Sequence, residues 1–297
     1  MTTAPDILCI GSVLWDVIGR ATIAMRQGQD VPGRIERLPG GVAMNIAVAL
    51  GRFGLSPSVL TAIGRDAEGD ELLTACDALG VCTRHVYRAD NLPTDRYLAV
   101  EGANGLIAAI ADAHSLEAAG VNILRPLMQG PLGTTDSPYD GLIALDGNLT
   151  VALLEEIATN AAFARADLRV APASPGKADR LLPFLRHPRA VLYVNLEEAG
   201  ILCQLRFDSA AEAAKTLLRH GAARALVTDG ANPACDASAA GLILAKPAAV
   251  PVARVTGAGD TFMAAHMAAE TTGASREQAL DRALAAAATF VSGVEPA

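Results

Sequence analysis

The residues best suited to chemistry lie near the C-terminal end of the chain, in Thr256-Gly257-Ala258-Gly259-Asp260. Small residues let the backbone turn tightly and leave successive N–H groups free at a helix start. Free amides and the helix dipole attract a phosphate or a developing anion. A carboxylate beside such a site repels the anion unless it has a task of its own. Taking the proton from a hydroxyl that attacks a phosphoryl group is such a task. Asp260 is therefore a candidate general base, and Gly257, Ala258 and Gly259 offer candidate anion-stabilising amides. A helix N-cap with turn glycines leaves the same pattern, so spacing alone keeps both roles open.

Two further groups could hold ligands. In Gly40-Gly41-Val42-Ala43-Met44-Asn45 the paired glycines let backbone approach a ligand, and Asn45 offers both a donor and an acceptor. Such a site suits sugar hydroxyls, and Asp16 could accept hydrogen bonds from two of them. Asn195 and Glu198 are three residues apart at a predicted helix start. Their hard oxygens suit Mg²⁺ held through water, and a capping pair would look the same.

Elements must bring these residues together. Ile7 to Ser12 reads as a buried strand, Asn45 to Phe53 as a helix, Ser58 to Ile63 as a strand and Gly69 to Leu79 as a helix. That rhythm is a parallel sheet covered by helices. It resumes with strands at 141–145, 168–171, 190–194 and 225–228, and helices at 151–164, 177–185, 197–203 and 211–220. A β-like stretch at 241–244 precedes a helix opened by Gly259 and an Ala-rich helix over 276–292. Asp146, Asn195 and Thr228 then sit just past the carboxyl ends of strands, where open α/β sheets bind ligands. Two segments break the rhythm. Residues 17–38 are polar with short β-like stretches, and 96–111 reads as two strands around Asn104-Gly105, a hairpin signal. Together they predict one small discontinuous β-lid, with edge strands of the main sheet as the alternative.

Composition removes other function classes. The 297 residues are 51% hydrophobic and 4% aromatic, with net charge −8. An acidic, aromatic-poor chain is a poor nucleic-acid binder. Mean hydropathy is +0.30, but the longest charge-free apolar stretches, such as 283–294, fall well short of the ~20 residues a membrane span requires. The excess apolarity is mostly alanine. Met1–Ile10 shows no signal-peptide pattern. Five scattered cysteines and five histidines lack metal spacing, so free thiols and a cytoplasmic protein are expected.

Taken in order, Gly-Gly-x-x-x-Asn45, Ala62-Ile-Gly-Arg-Asp-Ala-Glu-Gly69, Asn195-x-x-Glu198, Val227-Thr-Asp-Gly230 and Thr256-Gly-Ala-Gly-Asp260 resemble the ribokinase (PfkB-type carbohydrate kinase) family. The resemblance spans nearly the whole chain. It implies one α/β domain over 1–297, a three-layer αβα sandwich with a mostly parallel sheet and a lid from roughly 16–38 and 94–113. It implies an ATP- and Mg²⁺-dependent phosphotransferase acting on the alcohol of a small-molecule sugar or nucleoside, with a homodimer through the lid. Asp260 matches the catalytic base, and Gly257, Ala258 and Gly259 match the anion hole. Asp16, Gly40, Gly41 and Asn45 match the substrate site, and Asp112 on a lid strand could contact a base or be simply a solvated lid charge. Asn195 and Glu198 match the Mg²⁺ and phosphate motif. Thr228, Gly230 and Thr256 match the nucleotide side. Arg254 stands where members activated by potassium carry an aspartate, so a monovalent cation is not expected.

Asp146-Gly-Asn-Leu149, Ala171-Pro-Ala-Ser-x-x-Lys177 and Thr94-Asp-Arg-Tyr97 are most similar to the pseudouridine kinase branch. Pseudouridine 5′-phosphorylation is the expected reaction. Ribokinase, fructokinase-like and other nucleoside kinase activities are the alternatives within the family. A sugar- or nucleoside-binding protein without catalysis is the alternative outside it.

Overall fold

The computed structural model of the chain describes residues 6–294. The signal-peptide reading and the ends of the 1–297 domain expectation fall partly outside these residues. Strands β1 (Ile7–Ile10), β2 (Leu14–Arg20) and β3 (Arg34–Gly40) precede helix α1 (Val42–Arg52). Next come β4 (Pro57–Leu60), β5 (Ala62–Gly64), α2 (Ala67–Ala78), β6 (Tyr87–Ala89), β7 (Arg96–Gly102) and β8 (Gly105–Asp112). Helices α3 (His114–Ala119) and α4 (Arg125–Met128) and strands β9 (Gln129–Gly130) and β10 (Gly133–Thr134) lead to β11 (Leu142–Asp146). Then follow α5 (Val151–Thr159), β12 (Asp167–Ala171), β13 (Ala190–Asn195), α6 (Leu196–Cys203) and α7 (Ala210–Arg219). The chain closes with β14 (Arg224–Asp229), β15 (Asn232–Ser238), β16 (Gly241–Ala245), α8 (Ala258–Thr271) and α9 (Arg276–Val291).

The main sheet has eight strands in the order β16-β15-β14-β13-β12-β11-β1-β4. From β4 to β14 they run parallel, and β15 and β16 are antiparallel. Every residue of β1 and β4 is buried, as expected for strands covered on both faces. Alternate residues of β1 serve opposite layers. Leu8 and Ile10 pack with α5, α6 and α7, while Ile7 and Cys9 pack with α1, α8 and α9. This is the expected αβα sandwich. The alanines sit where helices meet: Ala264, Ala265, Ala268, Ala279 and Ala283 are buried on α8 and α9. No helix among the described residues is long and apolar enough to cross a membrane.

Residues of the two rhythm-breaking segments pair with each other rather than with the main sheet. They form a separate four-stranded sheet, β3-β2-β7-β8. Its base is tied to α2. Trp15 Nε1 donates to Glu68 O at 3.0 Å, Arg37 lies 4.2 Å over the Trp15 ring, and Arg96 pairs with Glu68 at 2.8 Å. Asp66 caps α2 and also accepts from the amide and hydroxyl of Thr94, while Asp95 accepts from the Ser115 and Leu116 amides. The two small-sheet segments are thus bolted to the core at one end.

Three elements differ from expectation. The strand expected over 58–63 breaks at Thr61, so β4 joins the main sheet and β5 pairs with β6. The α-helix expected over 177–185 is a 3₁₀ run, Pro175–Phe184, with Pro183 inside it and lacking an amide to donate. The helix over 151–164 stops at Thr159, because the Asn160 side chain caps a separate short turn. Strand β15 carried no legible signal, since Asn232, Pro233 and Asp236 interrupt its apolar pattern.

Asp236 belongs to a buried ionic cluster between the sheet and the C-terminal half of α8. It is fully buried and accepts bidentate bonds from Arg224 (2.9 and 2.6 Å) and further bonds from Arg276. Glu270 takes Arg224 at 2.7 Å and Arg169 at 2.5 Å, and Arg169 is also held by Asp167. Three guanidinium groups thus face three carboxylates, with Tyr193 and buried His266 hydrogen-bonded beside them at 2.8 Å.

Candidate active site

Parallel strands end on one edge, and the chemistry collects there. β11 ends at Asp146, β13 at Asn195 and β14 just past Thr228, while α1 and α8 begin at the same edge after Gly41 and Gly257. Gly257 is the N-cap of α8 with φ 90°, a conformation that only glycine adopts without strain. Asp260 is the third residue of that helix. Asn45, in the first turn of α1, donates from Nδ2 to Asp260 Oδ2 at 3.0 Å. Two residues 215 positions apart therefore meet.

The electrostatics suit a base. Burial pushes the Asp260 carboxyl up to about 7, opposed by the Asn45 bond and reinforced by the nearby charges of Asp146 and Glu198. A base poised near neutrality ionises readily and still accepts a proton. Of the three amides expected to form the anion hole, that of Ala258 already donates to Val255 O at 3.0 Å. The Gly259 and Asp260 amides lie in the first turn, where the helix supplies no acceptor. A Cβ on Gly259 would meet nothing within 4 Å, so a ligand can approach its backbone.

The glycine pair has a measurable reason. A Cβ on Gly40 would sit 2.0 Å from Asp16 Oδ2, and one on Gly41 would sit 2.4 Å from Ser12 O. Asp16 therefore lies directly over Gly40, half-buried, with burial pushing its carboxyl up to about 6. Asp112 does not join it. Asp16 pairs across the small sheet with Tyr97 and then Ala111, whereas Asp112 pairs with Arg96 and Trp15. Side chains alternate faces along a strand, so Asp112 is on the opposite face, bonded to His114 at 2.8 Å.

Asp146, placed at a strand end by the sequence, completes the floor with Ser12 and Asn148. Asp146 accepts from the Ser12 amide (2.8 Å), Ser12 Oγ (2.5 Å) and the Asn148 amide (2.8 Å). Ser12 Oγ in turn accepts from the Val42 amide and from Asn148 Nδ2, each at 3.0 Å. Lys177 reaches Asn148 Oδ1 at 2.5 Å. Asp146 is thus spent on holding three loops together. The sequence showed its members singly, Ser12 after a buried strand and Asp146 at a strand end, but not that they bond to each other.

Asn195 and Glu198 form a capping box: Glu198 N donates to Asn195 Oδ1 at 2.9 Å, and Asn195 N donates to Glu198 Oε2 at 2.8 Å. That accounts for two of their oxygens. Glu198 remains nearly buried, burial pushes it up to about 7, and its charge reaches Asp260. Among the described residues no group of three carboxylate, histidine or cysteine side chains forms a ready metal cage. Asp260 with the charges of Glu198 and Asp146 nearby, together with the hard oxygens of Asn195 and Glu198, fits a divalent cation held largely through water. Asn195, Thr228 and Gly230 line one cleft of about 970 Å³, with Arg206 and Phe207 on its wall. Thr256 lies exposed on the turn before α8 and is not among the lining residues.

Arg254 is engaged with the end of α9. Its Nε donates to Phe290 O at 2.9 Å, and its guanidinium lies 3.8 Å over the Phe290 ring.

The pfkB family carbohydrate kinase pattern matches residues 4–296. The chain is 30% identical over 161 residues to the Escherichia coli (strain K12) protein described as uncharacterized sugar kinase YeiI, covering 54% of this chain but only 42% of that one. It is 28% identical over 263 residues to the pseudouridine kinase of the same organism, covering 87% of this chain and 81% of the other. The solved structure of Arabidopsis thaliana ribokinase with ribose and ATP superposes with TM-score 0.75 at 21% identity, covering 99% of this chain and 95% of that one. A family match over nearly the whole chain, on a fold that gathers the motif residues at one sheet edge, makes this protein a member of the pfkB family of carbohydrate kinases.

Proposed function

We propose that this chain transfers the γ-phosphoryl group of ATP to the primary hydroxyl of a ribosyl substrate, with pseudouridine as the acceptor. The observation that carries the reading is Asp260, held by Asn45 at 3.0 Å on the open first turn of α8, with a carboxyl near neutrality. The match to a pseudouridine kinase over 87% of the chain supports the acceptor.

Asp16 and Asn45 hold the sugar hydroxyls above Gly40 and Gly41. Asp260 takes the proton from the primary alcohol as that oxygen attacks in line, and the first-turn amides of α8 meet the charge on the transferring group. Thr228, Gly230 and Asn195 line the cleft for the nucleotide. Asn195 and Glu198 would hold Mg²⁺, which when bound neutralises charge on the phosphates. Closure of the small sheet excludes water, so Asp260 activates the alcohol rather than a water molecule.

One assay tests substrate and cation together: ADP release with pseudouridine, uridine, adenosine, ribose and fructose, each in K⁺ and in an inert organic cation. The expected result is the highest kcat/KM for pseudouridine and the same rate in both salts. Preference for ribose or fructose overturns the acceptor. Strong K⁺ dependence overturns the reading of Arg254. No ADP release with any alcohol favours a binding protein without catalysis.

The small sheet also supports a homodimer. Ile35, Leu98 and Ile110 share the face opposite Asp16 and are 79%, 43% and 66% exposed. Sedimentation should show a dimer that Ile110→Asp converts to monomer; a wild-type monomer overturns this.

A further inference from the structure

The turn that presents the catalytic helix is fastened to the end of α9. The last carbonyls of a helix have no partners within it and form the negative end of its dipole. Here Val291 O accepts from the amides of Ala253 and Arg254 at 2.9 and 3.2 Å. Phe290 O accepts from Arg254 Nε at 2.9 Å. The guanidinium plane also covers the Phe290 ring at 3.8 Å. The same ring touches the catalytic turn, since a Cβ on Gly257 would lie 2.9 Å from Phe290 Cζ. Gly257 in turn accepts from both the amide and hydroxyl of Thr261, one turn into α8. A cavity of about 160 Å³ beside Phe290, lined also by Arg254 and Thr261, leaves the ring room to swing if released.

We propose that Arg254 is a positioning residue. It pins Phe290 against Gly257 and so sets the first turn of α8, on which Asp260 and the anion-facing amides depend. The tethered guanidinium satisfies Phe290 O and places a positive charge at the negative end of the α9 dipole. Lysine cannot reproduce this, because it lacks the planar face and the Nε donor. The assignment of Asp260 as catalytic base rests on the proposed kinase reaction; the fastening of the turn does not.

The test has two arms. In hydrogen-exchange mass spectrometry of the protein without substrates, Arg254→Ala should speed exchange in peptides covering 253–262 while leaving β1 and β11 unchanged. Unchanged exchange at 253–262 overturns the proposal, whatever the activity. In steady-state kinetics, Arg254→Ala should lower kcat by about tenfold or more with a much smaller change in acceptor KM. Millimolar guanidinium should restore part of the loss, K⁺ should not, and Arg254→Lys should stay impaired. A kcat within twofold of wild type, or a loss confined to KM, overturns it. A wild type without activity overturns the kinase reading alone and leaves the exchange result to decide this one.

Discussion

Asp260→Asn is expected to lower kcat about 10³-fold, within the range a general base contributes, while nucleotide affinity changes little. Asparagine is nearly isosteric but cannot take a proton, so the loss reports chemistry rather than folding. Phosphorylation that survives undiminished would overturn the mechanism. The pH dependence has a definite sign. A base works when ionised, and burial holds this carboxyl near 7 in the free enzyme. Wild-type kcat/KM should therefore rise with pH on the acid side and flatten above neutrality. The Asn45 bond favours the ionised form, so Asn45→Ala should move that limb to higher pH. An acid limb near 4 in the wild type would show that burial does not govern this group.

The largest stability effect is expected far from the chemistry. Asp236→Ala removes the carboxylate that serves both Arg224 and Arg276, leaving Arg224 with Glu270 as its one carboxylate and Arg276 with backbone carbonyls alone. Breaking a buried pair in this way costs roughly 3–5 kcal/mol. For a chain of this size that is a fall of about 5–10 °C in the unfolding midpoint. A change under about 1 kcal/mol in urea unfolding would mean that water reaches the arginines and the cluster is not dry.

The same cluster makes stability fall in acid. Burial lowers His266 to about 4, so the folded protein keeps it neutral where the unfolded chain takes up a proton. That contribution is complete above the ordinary histidine value near 6.5 and is lost as pH falls from there towards 4. Glu270 and Asp236 resist burial because their arginine bonds outweigh it and hold both below the usual carboxylate range. Their contribution is lost only at lower pH, as they protonate. His266→Gln should flatten the first part of the decline and leave the second.

Much of the site was legible because its cues are local. A glycine before a small-residue run needs only its own backbone to start α8. Asn195 and Glu198 needed only helical spacing to face each other, and they do so as a capping box. The same spacing supports a cap or a metal site, so pattern alone left that choice open. Whether Asp112 faces the site or solvent could not be read because its face depends on register. One residue along a strand reverses the side, and register was fixed by pairing between β2, β7 and β8.

By itself the sequence determined the layer architecture, the discontinuous small sheet and the order of the motifs. Apolar runs, glycines and helical spacing act over a few residues and can be read where they stand. Only the tertiary structure decided which charges meet: Asp236 with Arg224 and Arg276, Glu270 with Arg169, and Asp146 with Ser12. It also decided that Phe290 lies between Arg254 and Gly257 and that Asp16, not Asp112, overlooks Gly40. These are contacts between residues far apart in the chain. They exist because burying apolar faces brings the elements together, and charge pairing then selects among the polar groups carried inside with them.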